Sequence, residues 1–471
     1  MHSVRRTKIV ATIGPATRDA RMVRKLVGLV DVFRINFSHG DRASHLEEIR
    51  TIRSVARRAG KTVAILQDLP GPKIRVGRIS NGVVELVRGA RLNLVPGDVL
   101  GTASLVSVNY PELLRSVKKG DALHLADGVI RLRVDENTPA GVACTVMAGG
   151  TLSSGKGVNA PGVKMKIEYP TPADVSHLKF GVQQGVDFVA ASFVRTASDM
   201  TSVRRLIPAE GPLLIAKIEK KEAVSNFDEI LAEADGVMIA RGDLGIEVPI
   251  ETVPVIQKDA VAKCNAAGKP VIVATQMLVS MVNFPVPSRA EVTDVSTAVN
   301  DGTDAVMLSD ETTVGKYPVE AVRMLDRIAR STERSLPKPD GSPAGKGSRE
   351  TASAIARAAC RLADYVGAKA IVAPTQTGST ARRVSMYRPS QPIVALCTAP
   401  RVARQLKLYL GVIPVISKPA MSMDLLFERA DDAAEMMGLA KKGERIVVTS
   451  GTPGIKGTTN LIKVSVVGSR A

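Results

Sequence analysis

The chain has 471 residues, 45% of them hydrophobic, which is ordinary for a soluble globular protein of about two or three domains. Its 64 basic and 46 acidic residues give a net charge of +18, but aromatic residues are only 3% and the basic residues are spread along the whole chain. This pattern argues against a nucleic-acid surface and favours a diffuse positive field that attracts small anionic substrates.

No apolar run approaches the roughly 20 residues needed to cross a membrane, and the stretch MHSVRRTKIV lacks the apolar core of a signal peptide. The cysteines are far apart and show neither metal-ligand spacing nor a disulfide pattern: Cys144, Cys264, Cys360 and Cys397. We expect reduced core cysteines in a cytoplasmic protein that has no membrane partner.

Short apolar strands alternate with helical stretches in two parts of the chain. They are predicted at 8–13, 32–37, 63–68, 188–192, 213–218, 236–240, 271–275 and 305–308. Eight parallel strands, each followed by a helix and nearly continuous in apolar character, predict an α/β fold of the TIM (β/α)8 barrel type.

Polar residues follow these strands at their carboxyl ends, where such a barrel carries its active site. An Asp or Ser at one such position often only caps a helix, but capping does not explain the whole set. The set is Thr12, Arg34, Asn36, Ser38, Asp68, Ser192, Lys217, Glu219, Arg241, Asp243, Thr275, Ser309 and Glu311.

The central β-α-β unit, residues 213–243, holds the most informative of these charges. Its two parallel strands bring Glu219 and Asp243 to one edge of the sheet, together with Lys217 and Arg241. Two carboxylates beside a lysine and an arginine suit a divalent metal that holds a phosphorylated anion.

Between Gly71 and Gly162 the pattern changes to short alternating strands with hairpin signals such as Asn81-Gly82 and Asp127-Gly128. We predict a small β-barrel lid domain, inserted after the third barrel strand, that closes over the substrate. The predicted boundaries are 1–71 and 163–338 for the barrel and 72–162 for the lid.

A Pro-, Gly- and Ser-rich linker precedes a C-terminal α/β domain with a parallel sheet, predicted over 350–471. Its loop TQTGST lies between a strand and a helix, where backbone amides can bind a phosphate, and the loop SGTPGIKGTTN repeats this chemistry. Together they predict a phosphorylated effector bound by Thr375, Thr377, Gly378, Ser379, Thr380 and Lys456.

Stretches in almost the whole chain resemble, in the same order, those of the pyruvate kinase family. They include TKIVATIGPAT, FRINFSHG, DLPGPKIR, KGVNAPG, AKIEKKEAVSNFDEI, MIARGDLGIEVP, VIVATQML and SRAEVTDVSTAVNDGTDAVMLSDET. The resemblance implies a barrel with an inserted lid and a C-terminal regulatory domain. It also implies a cytoplasmic homotetramer that transfers phosphate from phosphoenolpyruvate to ADP, giving ATP and pyruvate.

The resemblance further implies roles for individual residues. Glu219 and Asp243 would hold Mg2+ or Mn2+, Lys217 and Arg34 would neutralise the transferred phosphoryl group, and Thr275 would lie near the carbon that is protonated. Backbone amides of Gly242 and Asp243 would bind the substrate carboxylate. The nucleotide set would be Asn36, His39, Arg75 and Lys156, with Lys73 and Arg75 also in the catalytic set, and Ser309, Glu311 and Arg289 at the rear of a proton relay.

The chain departs from the family pattern at three positions. The family's potassium site corresponds to Asn36, Ser38, Asp68 and the backbone of Leu69, but the glutamate nearby is Lys73 here. Because an ammonium supplies the same unit charge, we predict an enzyme that does not require K+. Asp310 replaces a family glycine, and Ala126 replaces an aspartate in the lid; we expect effects on the surroundings of Ser309 and on lid closure.

Two other functions stay open at this point. One is a catalytically silent barrel that binds metabolites as a regulatory protein; the other is a metal-dependent lyase acting on pyruvate- or oxaloacetate-type acids, which would not need Arg75, Lys156 and a lid. The effector class also stays open among fructose bisphosphate, sugar monophosphates and AMP.

Overall fold

The computed structural model describes residues 4–165, 167–337, 350–451 and 459–469. Most of the predicted linker and most of the loop 450–460, including Lys456, lie outside these residues. None of the described helices is long and apolar enough to span a lipid bilayer.

The strands are β1 Lys8–Thr12, β2 Val32–Asn36, β3 Ala64–Asp68, β4 Val83–Leu86, β5 Arg91–Pro96, β6 Leu105–Val108, β7 Ala122–Leu125, β8 Ile130–Thr138, β9 Gly141–Ala148, β10 Gly150–Ser153, β11 Val158–Asn159, β12 Phe188–Ala191, β13 Leu213–Ile218, β14 Gly236–Ala240, β15 Val271–Ala274, β16 Ala305–Leu308, β17 Ile371–Thr375, β18 Ile393–Cys397, β19 Val412–Ile416, β20 Arg445–Ser450 and β21 Leu461–Val466.

The helices are α1 Ala20–Leu26, α2 Arg42–Arg58, α3 Pro111–Ser116, α4 Pro172–Gln183, α5 Ala197–Arg204, α6 Lys221–Ser225, α7 Phe227–Glu233, α8 Arg241–Glu247, α9 Val253–Ala267, α10 Arg289–Asn300, α11 Asp310–Thr313, α12 Pro318–Ser335, α13 Thr351–Tyr365, α14 Ser379–Met386, α15 Pro400–Gln405 and α16 Met423–Met436. Short 3-10 turns lie at Ser80–Gly82, Ile250–Thr252, Val279–Val282 and Leu406–Leu408.

The eight predicted barrel strands form a closed parallel barrel in the order β1-β2-β3-β12-β13-β14-β15-β16, with β16 pairing back to β1. Every residue of β1, β3, β12, β14, β15 and β16 is buried. Because helices cover the outer face and side chains fill the interior, the strands need apolar residues on both faces. The predicted barrel is confirmed.

Four aspartates stand at the amino ends of barrel strands, in the repeated stretches VDVF, VDFV, ADGV and TDAV. Each carboxylate accepts a backbone N–H from the neighbouring strand. The pairs are Ile9 to Asp31 (3.0 Å), Ile65 to Asp187 (2.8 Å), Leu214 to Asp235 (2.8 Å) and Val271 to Asp304 (3.1 Å). These repeats stabilise the face of the barrel that is opposite the strand carboxyl ends.

Three of these aspartates also bind cations from the C-terminal α/β unit. Lys407 lies 2.7 Å from Asp31, Arg404 lies 2.7 Å from Asp187, and Arg388 lies 2.8 Å from Asp304. The C-terminal unit therefore docks on the amino-end face of the barrel through buried carboxylates. Lys8 donates to the carbonyl of Val412 (2.7 Å) in the same junction, and burial lowers the pKa of Lys8 to about 7.

The insertion after β3 contains β4 to β11, and its predicted hairpin is formed by the antiparallel pair β7 and β8. Backbone pairing divides the described strands into a six-stranded sheet, β11-β7-β8-β9-β5-β6, and a two-stranded sheet, β10-β4. Both sheets contribute to one apolar core, so the predicted small barrel is built from two sheets.

The C-terminal sheet has the order β19-β18-β17-β20-β21 in the described residues. Its first four strands are parallel, as predicted, whereas β21 is antiparallel to β20. Apolar clusters lie on both faces of the sheet. The cysteines are free and buried, as expected, and burial raises the pKa of the thiols of Cys144, Cys360 and Cys397 to about 12.

Replacing Asp304 by Ala should lower the free energy of unfolding by about 3 kcal/mol or more, because it leaves the guanidinium of Arg388 partly buried without its partner. Urea denaturation measures the change. Asp98→Ala is the control: both members of its ion pair with Arg78 are mostly exposed, so the loss should stay below about 1 kcal/mol. Equal losses in the two variants would contradict the importance of this junction.

Candidate active site

A cavity of about 340 Å³ opens at the carboxyl ends of the barrel strands. It collects side chains from separate strand ends that are far apart in the sequence. Its predicted members are Arg34, Asn36, Ser38, Asp68, Lys73, Ser192, Lys217, Glu219, Gly242, Asp243, Thr275, Ser309 and Glu311. We call it the reaction cavity.

The ammonium group of Lys217 lies at the base of the reaction cavity. It donates to Ser192 Oγ (2.7 Å) and Asp68 Oδ1 (3.2 Å), and lies 2.8 Å from Glu219 Oε1. Burial opposes its charge, but the carboxylates of Asp68 and Glu219 outweigh burial and raise the pKa of Lys217 to about 12. Lys217 is therefore a fixed, buried cation.

Asp68 is shared by two cations. Its second oxygen accepts from Arg34 Nε (2.6 Å), and Arg34 Nη1 donates to Thr12 Oγ1 (3.0 Å). Burial favours the neutral carboxyl, but Arg34 and Lys217 lower the pKa of Asp68 to about 2. The carboxylate therefore holds both cations in position at one wall of the reaction cavity.

Glu219 and Asp243 both face the reaction cavity. Glu219 Oε2 accepts the N–H of Phe193 (2.7 Å), and its buried Oε1 forms the 2.8 Å ion pair with Lys217. Burial raises the pKa of Glu219, and Asp243 adds to the increase. In the described ranges no group of three or more His, Cys, Asp or Glu side chains is placed to hold a metal, so a cation here would bind two carboxylates and substrate oxygens.

Thr275 begins a turn with unusual backbone geometry. Its φ is 71° and that of Gln276 is 54°, a left-handed conformation that costs a β-branched residue about 1–3 kcal/mol. The hydroxyl of Thr275 accepts the N–H of Gly242 (2.7 Å) and donates to the carbonyl of Ala274 (2.6 Å). The amide of Gly242, predicted to bind a substrate carboxylate, is thus paired with Thr275 in this structure.

The strand-end position of Arg241 predicted that it lies beside Lys217, but the structure does not place it there. Its guanidinium turns away and forms a bidentate pair with Asp294, both contacts being 2.7 Å. The expectation is wrong because Arg241 starts helix α8, which directs its side chain towards α10 while Asp243 faces the cavity.

The predicted relay of Ser309, Glu311 and Arg289 is only partly assembled. Glu311 is buried, and its two oxygens accept the N–H groups of Leu278 (2.9 Å) and Ser309 (2.8 Å). Burial raises the pKa of Glu311. Arg289 is exposed as the first residue of α10 and does not line the reaction cavity, so the structure does not bring it to the other two residues.

A second cavity, of about 300 Å³, lies where the insertion meets the barrel. It contains the predicted nucleotide residues His39, Arg75 and Lys156, and Lys73 lines both cavities. Burial and the neighbouring charges of Lys217 and Arg75 lower the pKa of Lys73. In the part of the chain that the structure describes, no carboxylate forms an ion pair with Lys73, so this lysine leaves a positive charge beside the reaction cavity.

The predicted potassium-site residues Asn36, Ser38 and Asp68 line the reaction cavity together with Lys73. Asn36 Oδ1 accepts the N–H of Ser38 (3.1 Å), and Leu69 is buried immediately after β3. Asp310 is exposed at the start of α11, where it lines this cavity next to Ser309.

The lid contributes Asp127 to both cavities, a residue that the sequence marked only as a turn. Ala126, Asp127 and Gly128 all have positive φ, of 50°, 58° and 86°. Gly128 lies against Ile246 of α8: a Cβ on this glycine would be 3.6 Å from its side chain. The Asp127-Gly128 pair indicated this turn in the sequence, but no sequence signal placed the turn in the cavity.

The predicted effector loop lies at the carboxyl end of the C-terminal sheet. Thr375 ends β17, and Gly378, with φ of 85°, precedes helix α14, which begins with Ser379 and Thr380. Thr380 Oγ1 lies 2.8 Å from Thr459 Oγ1. The hydroxyls of Thr375, Thr449 and Ser450 are buried without a hydrogen-bond partner in the described residues, and Thr377 lies in the loop.

The fold and the cavity define a (β/α)8-barrel enzyme whose fixed cations and paired carboxylates suit a phosphorylated anion. The family described as pyruvate kinase, barrel domain, matches residues 4–322, and pyruvate kinase, alpha/beta domain, matches 353–465. The chain belongs to the pyruvate kinase family, as its sequence stretches predicted.

Individual relatives are similar along the whole chain. The pyruvate kinase of Geobacillus stearothermophilus is 46% identical over 472 residues, covering 98% of this chain and 80% of that protein. Pyruvate kinase 2 of Synechocystis sp. is 46% identical over 471 residues, covering 98% and 79%. The crystal structure of a pyruvate kinase from Cryptosporidium parvum matches with a TM-score of 0.92 at 36% identity, covering 98% of this chain and 96% of that one.

Replacing Ser192 by Ala should lower kcat for pyruvate formation about tenfold or more, because Lys217 loses a hydrogen bond that fixes its ammonium group. Steady-state kinetics measure the change, with a smaller effect expected on KM. Ser202→Ala is the matched control, since the Ser202 hydroxyl bonds only the carbonyl of Ser198 in its own helix. Unchanged kcat in the Ser192 variant would show that Lys217 needs no such support.

Proposed function

We propose that this enzyme transfers the phosphoryl group of phosphoenolpyruvate to ADP, giving ATP and enolpyruvate, which is protonated to pyruvate. The observation that carries the proposal is the buried ammonium of Lys217, held beside Arg34 by Asp68 at the base of the reaction cavity. Phosphoryl transfer depends on fixed positive charge around the moving group, and desolvated cations supply it without reorganisation.

Glu219 and Asp243 would hold the divalent cation, Mg2+ or Mn2+. Their oxygens suit a hard cation, and both side chains line the reaction cavity, with Glu219 Oε1 lying 2.8 Å from the Lys217 ammonium. When bound, the cation supplies charge neutralisation for the substrate oxygens. Lys217 and Arg34 would neutralise the charge on the phosphoryl oxygens.

The remaining predicted residues would bind either the nucleotide or the carboxylic acid substrate. Arg75, Lys156, His39 and Asn36 would bind ADP at the lid junction, with Lys73 adding positive charge. Amides at Gly242 and Asp243 would bind the substrate carboxylate at the start of α8, where the helix dipole favours an anion, and the Gly242 N–H would exchange Thr275 Oγ1 for the carboxylate when substrate binds. The Thr275 hydroxyl would lie next to the carbon that receives the proton.

Replacing Lys217 by Met should lower ADP-dependent ATP formation about a thousandfold, because it removes the buried cation that Asp68 and Ser192 hold at the base of the reaction cavity. A coupled assay of pyruvate formation measures this, and an unchanged thermal midpoint confirms folding. A parent that forms no ATP would favour the silent binding protein. A parent that releases pyruvate from an oxo-acid without ADP would favour the lyase.

Lys73 supports the further proposal that K+ is not required. The rate should change less than about twofold when K+ is replaced by Na+ or tetramethylammonium, because Lys73 already supplies a unit charge beside Asn36, Ser38 and Asp68. Lys73→Glu should instead create a requirement for K+. A parent that loses most of its rate without K+ would refute the proposal.

We also propose that the C-terminal loop 375–380, together with Lys456, binds a phosphorylated effector. Three buried hydroxyls, on Thr375, Thr449 and Ser450, have no hydrogen-bond partner among the described residues, and they support it. Fructose bisphosphate, ribose 5-phosphate, glucose 6-phosphate and AMP should be screened by thermal shift, where binding raises the midpoint. No shift with any of them would indicate an enzyme without this regulation.

A cytoplasmic homotetramer with the proposed domain boundaries is expected, and sedimentation tests its size.

A further inference from the structure

The turn at Thr275 needs contacts that hold it in place. Its φ of 71° is followed by 54° at Gln276, and a β-branched residue does not adopt this conformation unless the surrounding structure imposes it. Since the hydroxyl of Thr275 projects from this strained backbone, its position depends on whatever stabilises the turn.

Arg241 contacts this turn from behind. Its Nη2 donates to the carbonyl of Thr275 (2.8 Å) and lies 2.9 Å from the Met277 sulfur. The same guanidinium is held by both carboxylate oxygens of Asp294, each at 2.7 Å, and by Gln257 Oε1 at 3.3 Å. A bidentate pair fixes a guanidinium in direction as well as distance. Asp294 therefore orients the donor that binds the strained carbonyl.

Gly242 contacts the same residue from the front. Its N–H donates to Thr275 Oγ1 at 2.7 Å, and the next residue is Asp243. Two consecutive residues of helix α8 thus hold the carbonyl and the hydroxyl of Thr275. Arg241 does not line the reaction cavity, so its guanidinium affects the chemistry through this turn and not by direct contact with the substrate.

We propose that Arg241 and Asp294 form a positioning pair that sets the Thr275 hydroxyl for the protonation step and leaves phosphoryl transfer alone. This inference rests on the proposed function. In the step, the Thr275 Oγ–H bond breaks and its proton passes to the methylene carbon of the enolate as the C=C electron pair forms the C–H bond; the enolate oxygen becomes the ketone, and solvent restores the proton at Oγ.

Asp294→Asn tests the pair, because it keeps the size of the side chain and removes the charge that orients Arg241. Asp259→Asn is the matched control: its carboxylate is exposed and pairs only with Lys263. Arg241→Lys keeps the positive charge but loses the forked contact to Asp294 and Thr275. Thermal midpoints and sedimentation establish that each variant folds and assembles like the parent.

Two steps are measured separately in each variant. Exchange of the pyruvate methyl protons in D2O, followed by NMR with Mg2+ and ATP present, reports proton transfer. Single-turnover formation of ATP from phosphoenolpyruvate and ADP reports phosphoryl transfer. We expect Asp294→Asn and Arg241→Lys to slow exchange about tenfold or more, with phosphoryl transfer within about twofold of the parent, and Asp259→Asn to change neither.

Two results would overturn the inference. If Asp294→Asn exchanges the pyruvate methyl protons as fast as Asp259→Asn does, the Gly242 contact alone holds the turn. A loss of both steps by one common factor would mean that the pair supports the barrel in general. A parent that shows neither exchange nor ATP formation would instead refute the proposed function.

Discussion

The charge on Lys217 is the interaction on which the rest of the site depends. Burial alone would lower the pKa of this lysine, and two carboxylates, Asp68 and Glu219, outweigh burial and keep it charged. Asp68, Ser192 and Lys217 stand at the ends of β3, β12 and β13, which are neighbours in the barrel. The strand order thus creates a contact among residues that are up to 149 positions apart in the sequence.

The charged residues at the two ends of the barrel have different roles. At the carboxyl ends the charges face a cavity and are only partly compensated, as binding an anion requires. At the amino ends, Asp31, Asp187 and Asp304 each accept a backbone N–H and bind a cation of the C-terminal unit. Arg388, which binds Asp304, follows helix α14, and α14 begins at the predicted effector loop. The same helix therefore connects that loop with the barrel.

The barrel was predictable because buried parallel strands need continuous apolar runs, and the predicted ends differ from the observed ones by at most one residue. Because parallel barrel strands all end at one face, the residues that follow them could be assigned to one site. The direction of each side chain could not be predicted: Arg241 turns behind Thr275, Arg289 is exposed on α10, and Asp127 reaches the cavity from the insertion. These outcomes depend on turn geometry and on lid packing, which have no period in the sequence.

The proposed site requires that Glu219 and Asp243 share one cation in front of Lys217. The anomalous signal of manganese in a crystal structure with Mn2+ and oxalate, an analogue of enolpyruvate, would locate this cation. We expect a single peak within bonding distance of both carboxylates, with the Lys217 ammonium still beside Asp68 and Ser192. Manganese bound to only one carboxylate, or a Lys217 side chain turned out of the cavity, would contradict it.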